Sequence, residues 1–306
     1  MNRFVVILSL VLACCLPAIR CEAASPVLKF NPPNSVTFDV TSRTIRVSDR
    51  VTGGLAAETT STVNACDLIK TDSGWLLGST LKEMSVRPQP DSLQNSLSQL
   101  LIGIKTLLYI NHDGKGIRMT GYEPLAARLD SLTPPKMHEM LRRVFSPANL
   151  SAKETNDWNL RHSGHIGRPV KVGREEHQQA PISFGPGQSW QVLILTRFED
   201  TVRVGGRLCL KVGLYTDSDP RRLAASSGKS VADIGSIFGL NDSALSAMER
   251  PNESYHSRLT MLVEGETLLE RSENSEREVI LAVPGKDGKA TVRRTQETVE
   301  KAILYH

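Results

Sequence analysis

The residues best suited to chemistry fall in one short stretch, His162-Ser163-Gly164-His165 followed by Glu175-Glu176-His177. Imidazole and carboxylate suit zinc, and three protein ligands with an open fourth position make a catalytic site. His162, His165 and His177 therefore define a candidate metal centre for a hydrolase. The three are not spaced to share one regular element and no cysteine lies nearby, so a polar loop is the competing reading. His138-Glu139 opens like the zincin helix, but Arg142 stands where the second histidine belongs. Gly228-Lys229-Ser230 ends like a phosphate-binding loop, but Leu223 replaces the glycine needed for backbone to wrap a phosphate. It reads better as a helix start, with Ser230 as N-cap and Asp233 at the capping-box position. There is no nucleophile elbow, paired-cysteine motif or haem motif, and no cofactor is expected.

Val231 to Ser246 has the outline of a helix-turn-helix, with Ile234, Gly239 and Leu245 at the core and turn positions. Its second helix opens with Asn241, Asp242 and Ser243 and offers no Arg or Lys to meet phosphate or base edges. Charge agrees: 37 basic and 33 acidic residues give a net +4 over 306 residues, spread along the chain. Nucleic acid is therefore not an expected partner. Arg161, Arg168, Lys171 and Arg174 form the one local basic run, a solvated loop or a contact for anionic groups.

These residues need elements to hold them. Val36–Val40 and Thr44–Ser48 alternate apolar with polar, as do Leu208, Leu210, Val212 and Leu214. Period two means one face buried and the other wet, the habit of antiparallel sheets. Residues 59–70 and 75–86 read as strands about the turn Thr71–Gly74, and 106–110 with 116–120 as a hairpin on Asn111-His112-Asp113-Gly114. Leu93 to Leu101 suggests a short helix. Helical spacing marks Glu123–Asp130, Pro134–Phe145 and Ser151–Leu160, then Ser230–Met248, with strands at 191–196, 201–204, 259–263, 278–283 and 291–300. Strands without regular βα alternation predict an α+β fold: a curved, mainly antiparallel sheet with short helices packed on one face. A single domain over 24–306, with helical inserts near 123–162 and 230–248, is expected.

The N-terminus reads as an address. Arg3 precedes the apolar stretch Phe4–Ala13, which is too short to span a bilayer, and small residues follow at Ala23-Ala24. Residues 1–23 are thus expected to be a signal peptide and the protein to be secreted or periplasmic. Val11-Leu12-Ala13 before Cys14 leaves lipidation at Cys14 as the alternative, and membrane attachment follows only from that. Cleavage would remove Arg3, Arg20 and Glu22, leaving a net +3 over 283 residues. It would also remove Cys14, Cys15 and Cys21. Cys66 and Cys209 then remain, either as a disulfide or as two buried thiols.

Leu107–Ile110, Asp113-Gly114 and Ile117–Gly121, followed by Leu125, Leu132, Met140, Leu141 and Phe145-Ser146, resemble a bacterial secreted family of unknown function. That family pairs a DxDG-like hairpin with short helices and a Pro-Val-x-Val-Gly lead into the next strands, which Pro169-Val170-Lys171-Val172-Gly173 matches. The Trp that follows the glycine in the family is replaced here by Arg174-Glu175, with no Trp until Trp190. The wider organisation is similar to periplasmic lipoprotein carriers, whose curved sheet wraps around helices and shelters an acyl chain. The resemblance covers about half the chain and implies a fold more than an activity.

The leading expectation is an exported, non-catalytic protein that holds a lipid-like apolar ligand or a partner segment between sheet and helices. Leu107, Leu141, Phe145, Leu193, Leu210 and Phe238 are the candidate lining, or else closed core. The metal-dependent hydrolase and a purely structural envelope component are the alternatives.

Overall fold

A computed structural model describes residues 27–49, 54–88, 100–135, 138–162, 165–169, 171–185, 188–248, 253–284 and 290–306. The expected signal peptide, Cys14 and most of the helix expected at Leu93–Leu101 lie outside the described residues. Eleven strands form one antiparallel sheet: β1 (Ser35–Asp49), β2 (Leu55–Thr71), β3 (Gly74–Arg87), β4 (Lys105–Asn111), β5 (Gly116–Thr120), β6 (Glu175–Gly185), β7 (Gln188–Val204), β8 (Arg207–Asp217), β9 (Ser254–Glu264), β10 (Glu270–Pro284) and β11 (Ala290–Tyr305). Their order is β5-β4-β3-β2-β1-β11-β10-β9-β8-β7-β6. From β1 in the middle the chain meanders out to the β5 edge, then crosses to the opposite edge at β6 and meanders back. The last strand closes on the first, with Phe38 opposite Tyr305.

That crossing is made by the first helical group, α1 (Leu125–Leu132), α2 (His138–Val144) and α3 (Pro147–His162). A link between opposite edges has to travel over a face of the sheet. Here α3 runs over the inner face, where Trp158 and Leu160 join a large apolar cluster with Leu108 of β4, Leu68 of β2, Ile194 of β7 and Val212 of β8. Strands eight places apart in the order thus share one core, so the open sheet curves around it.

The second group, α4 (Pro220–Ser227), α5 (Val231–Phe238) and α6 (Asp242–Met248), packs on the outer face. Leu193 and Leu195 of β7 meet Leu223, Ala224 and Ile234 there, while the alternating Val192 and Ile194 face inward. The expectation of helices on one face is therefore corrected to helices on both. A strand end such as β7, apolar on both sides, calls for a helical layer on each.

Several local expectations are met. The β4–β5 turn uses Gly114 at φ +78°, where an added Cβ would also strike Phe30 and Ile166. Ser230 and Asp233 form both bonds of the capping box. Residues 191–196 and 201–204 are one strand, β7, bent by a bulge between Phe198 and Asp200. The second insert begins at Pro220 rather than Ser230, with Asp219 as its N-cap and Pro at the start of the helix. Cys66 on β2 and Cys209 on β8 are buried free thiols rather than a disulfide, on strands five places apart in the sheet.

Candidate functional site

Between α3 and the inner face lies a cavity of about 300 Å³. Its apolar wall comes from Phe38 and Val40 on β1, Cys66 and Leu68 on β2, Leu77 on β3, Leu108 on β4 and Ile303 on β11. These positions alternate along their strands, which is why one face can line a void while its neighbours meet solvent. Tyr305, for example, lines the cavity and the adjacent Leu304 is 66% exposed. Phe30 adds to the wall from the segment 27–32, which buries Leu28, Phe30 and Pro32 and exposes the residues between them. Phe30 sets its ring edge-on to Trp75, at 5.1 Å, and to Trp158, at 6.1 Å.

The roof is fastened differently along its two sides. Toward β5 the bonds are neutral. Asn159 accepts from the Gly116 N–H at 2.8 Å and donates to the Gly116 carbonyl at 2.9 Å. Ser151 accepts from the Met119 N–H and donates to the Met119 carbonyl. Trp158 Nε1 donates to the Gly114 carbonyl at 3.0 Å. Side chains of α3 thereby satisfy backbone groups of an edge strand that would otherwise invite another strand.

Toward β10 and β11 the bonds are ionic. Arg161 reaches Glu273 at 3.0 Å, Lys301 reaches the other oxygen of Glu273 at 2.7 Å, and His162 Nε2 lies 3.1 Å from Glu270. His162 Nδ1 donates to the Trp158 carbonyl at 2.8 Å, and its ring stacks on Trp158 at 3.9 Å. Burial opposes a charge on Glu270, but His162, Arg161 and Lys301 overcome it and hold its carboxyl well below the usual carboxylate range. Tyr305 donates to the Glu270 carbonyl, and burial pushes its phenol above the ordinary tyrosine range.

The three histidines of the sequence reading do not converge. His162 and His165 have ring centroids 5.5 Å apart, but His177 is an exposed residue of β6 with its ring against Phe238. Among the described residues no group of three or more His, Cys, Asp or Glu is placed to hold a metal ion. His162 is instead part of the ionic fastening. His165 is fully buried with neither ring nitrogen bonded among the described residues, and burial pushes its pKa down to about 3. Three cations of the basic run are likewise engaged within the fold, Arg161 by Glu273 and Arg168 and Arg174 by Glu176.

The six candidate lining residues are separated as well. Leu141 and Phe145 belong to a small cluster with Leu100, Leu125 and Leu129, and Leu193 and Phe238 to the outer cluster. Leu210 lies in the large inner core, away from the cavity wall. Leu107 is one residue out of phase, since it is Leu108 that lines the cavity. In a strand such a slip changes the face. The signal that could have found Leu68, Leu77 and Leu108 was their shared parity across the paired strands, which needs the register. The ionic group joins α3 to β10 and β11 across more than a hundred residues and had no local sign.

No family model matches the chain, and no curated protein matches it. Among solved structures it is similar to lipovitellin, from a study of lipid–protein interactions, at 10% identity and TM-score 0.40, over 90% of this chain and 26% of that one. The chain thus spans about a quarter of that protein's length. DynF of the dynemicin pathway of Micromonospora chersina is similar at 9% identity and TM-score 0.22, over 92% and 86% of the two chains. The LolA superfamily protein NE2245 of Nitrosomonas europaea is similar at 9% identity and TM-score 0.20, over 90% and 88%. At these scores and identities the likeness bears on neither site nor activity. No helix among the described residues is long and apolar enough to cross a membrane.

Proposed function

We propose that the protein is an exported, non-catalytic carrier that shelters an apolar ligand between α3 and the inner face of its sheet. The observation that supports this reading is the cavity itself: about 300 Å³, walled by Phe38, Leu68, Leu77, Leu108 and Ile303. Protein interiors leave few voids larger than a water molecule, and apolar voids stay dry and accept apolar guests. The volume stands at the lower end of the range for small-molecule sites, which suits one slender chain rather than a bulky ring system.

Nile red, an uncharged dye that brightens in apolar surroundings, tests it. Saturable binding at one dye per chain is expected, and filling the void by Leu77→Trp should abolish it while cooperative melting is retained. Ile303→Trp fills the same space from the opposite wall and should act alike. Unsaturable binding, or binding untouched by both substitutions, would overturn the reading.

A further inference from the structure

The polar side chains that border the cavity fall into two groups, those already engaged inside the protein and those still free. The charged ones are engaged. Arg161 and Lys301 each hold an oxygen of Glu273, and Glu270 and Asp157 act on Arg161 as well. Glu270 is bonded by His162, and Glu154 lies 3.3 Å from Lys153. Trp158 donates to the Gly114 carbonyl and Tyr305 to that of Glu270. An anionic head group would have to draw Arg161 or Lys301 off Glu273, whose side chain is only 5% exposed. A cationic head would compete with them for it.

Asn64 is the exception. Its half-buried side chain lines the cavity from β2 and makes no hydrogen bond among the described residues. It stands between Val40 of β1 and Leu81 of β3, a place where asparagine is a poor strand former and an aliphatic residue would fit. The backbone is irregular there too. The pairing of β2 with β3 slips between Val63 and Asn64, with Lys82 as the extra residue, and such bulges re-aim side chains. Ser79 of β3, opposite Cys66, is the diagonal neighbour of Asn64. Its hydroxyl accepts from the Cys66 thiol at 3.6 Å and keeps its own hydrogen to donate. Leu68, Leu77 and Leu108 form one row across β2, β3 and β4, two rows away from Asn64. The sheet side of the cavity therefore has an uncharged polar end and an apolar end.

We propose that the guest is an uncharged single-chain lipid, its hydroxyl or carbonyl head held by Asn64 and Ser79 and its tail laid against Leu68, Leu77 and Leu108. This rests on the carrier reading and names its ligand class. An amide with two donors and an acceptor, beside a hydroxyl, matches a head that is polar without charge. Such a head gives Asn64 the hydrogen bond that the fold does not supply, and every ion pair of the wall stays whole.

Displacement of Nile red by decanol, methyl decanoate, decanoate, decylammonium and chlorodecane tests the head group. All are kept below their solubility and micellar limits, at pH ~8, where decanoate is ionised. Decanol or methyl decanoate should bind more tightly than either ion, and the tighter of the two assigns the head as hydroxyl or carbonyl. Asn64→Val should weaken that ligand about fivefold and leave chlorodecane, which has the same tail without a strong hydrogen-bonding group, unchanged. Ser79→Ala tests the same head from the neighbouring strand and should weaken it by a smaller factor. Tighter binding of decanoate or decylammonium would overturn the proposal and leave the carrier reading standing. So would affinities for decanol and methyl decanoate that neither substitution changes, or that fall only in step with chlorodecane. Failure of all five to displace a dye that Leu77→Trp excludes would overturn it too. Dye binding that never saturates would remove the carrier reading itself.

Discussion

The two helical groups do opposite work on the same sheet. On the outer face α4 and α5 close over Leu193, Leu195 and Tyr215 with a compact cluster, and both helices are capped at each end by their own local residues. On the inner face α3 roofs a void, is held by ion pairs on one side, and ends beside a buried histidine whose ring nitrogens have no hydrogen bond among the described residues. Burial that is complete and capping that is local build stability. A cavity, a buried ionic group and an orphaned imidazole each cost stability and suggest a site kept for something else. The comparison yields predictions that differ between the two faces.

The largest effect is expected where packing is complete. Leu223 of α4 is 1% exposed within the outer cluster, and Leu223→Ala should cost about 3 kcal/mol in urea melts. Leu77→Ala, at a half-buried position that already borders a void, should cost about 1 kcal/mol. Dye binding should survive the first substitution and change with the second. Equal costs at the two positions would break the distinction between a closed and an open side.

A smaller effect, tied to pH, is expected on the inner side. The folded-state pKa of His165 is about 3 against an ordinary value of 6.5, so the unfolded chain takes up a proton that the folded chain refuses. The stability lost this way is nil well above pH 6.5 and grows as pH falls toward 3, reaching about 2 kcal/mol near pH ~5. His165→Leu removes both the unbonded nitrogens and the linkage. It should raise stability at neutral pH by about 1 kcal/mol and make the variant's acid limb flatter than that of the unaltered protein, so that the two diverge as pH falls. An identical acid limb in the two proteins would show that His165 has a partner after all.

The same contrast explains what could be read in the sequence. Period-two text found the strands, Asp113-Gly114 found the hairpin, and Ser230 with Asp233 found the cap of α5, because each is a local rule with a local sign. The α+β class and the antiparallel sheet followed. The second helical layer was hidden because Leu193 and Leu195 look the same whether they face a helix or a void. The cavity wall was hidden because it is assembled from one parity of five strands, and Leu107 was chosen where register selects Leu108. The ionic wall was least legible of all: Arg161 and Lys301 meet on Glu273 only after the chain has gone out to both edges and returned.

The smallest expected effect returns to the outer face and to a feature that was fully legible. Ser230 Oγ accepts from the Asp233 N–H at 3.1 Å, and the Asp233 carboxylate accepts from the Ser230 N–H at 3.2 Å and from its hydroxyl at 2.7 Å. The Ser230 hydroxyl is the first cause, and its backbone N–H the second, of an Asp233 carboxyl held below its ordinary pKa. Ser230→Ala removes the hydroxyl and keeps the backbone bond. It should cost about 1 kcal/mol, move the Asp233 pKa back up toward the ordinary aspartate value, and leave ligand binding unchanged. The first is read from denaturant melts and the second from carboxyl chemical shifts across an acid titration. A loss of dye binding on Ser230→Ala would mean that the outer helices are coupled to the cavity, and the division of labour between the two faces would have to be abandoned.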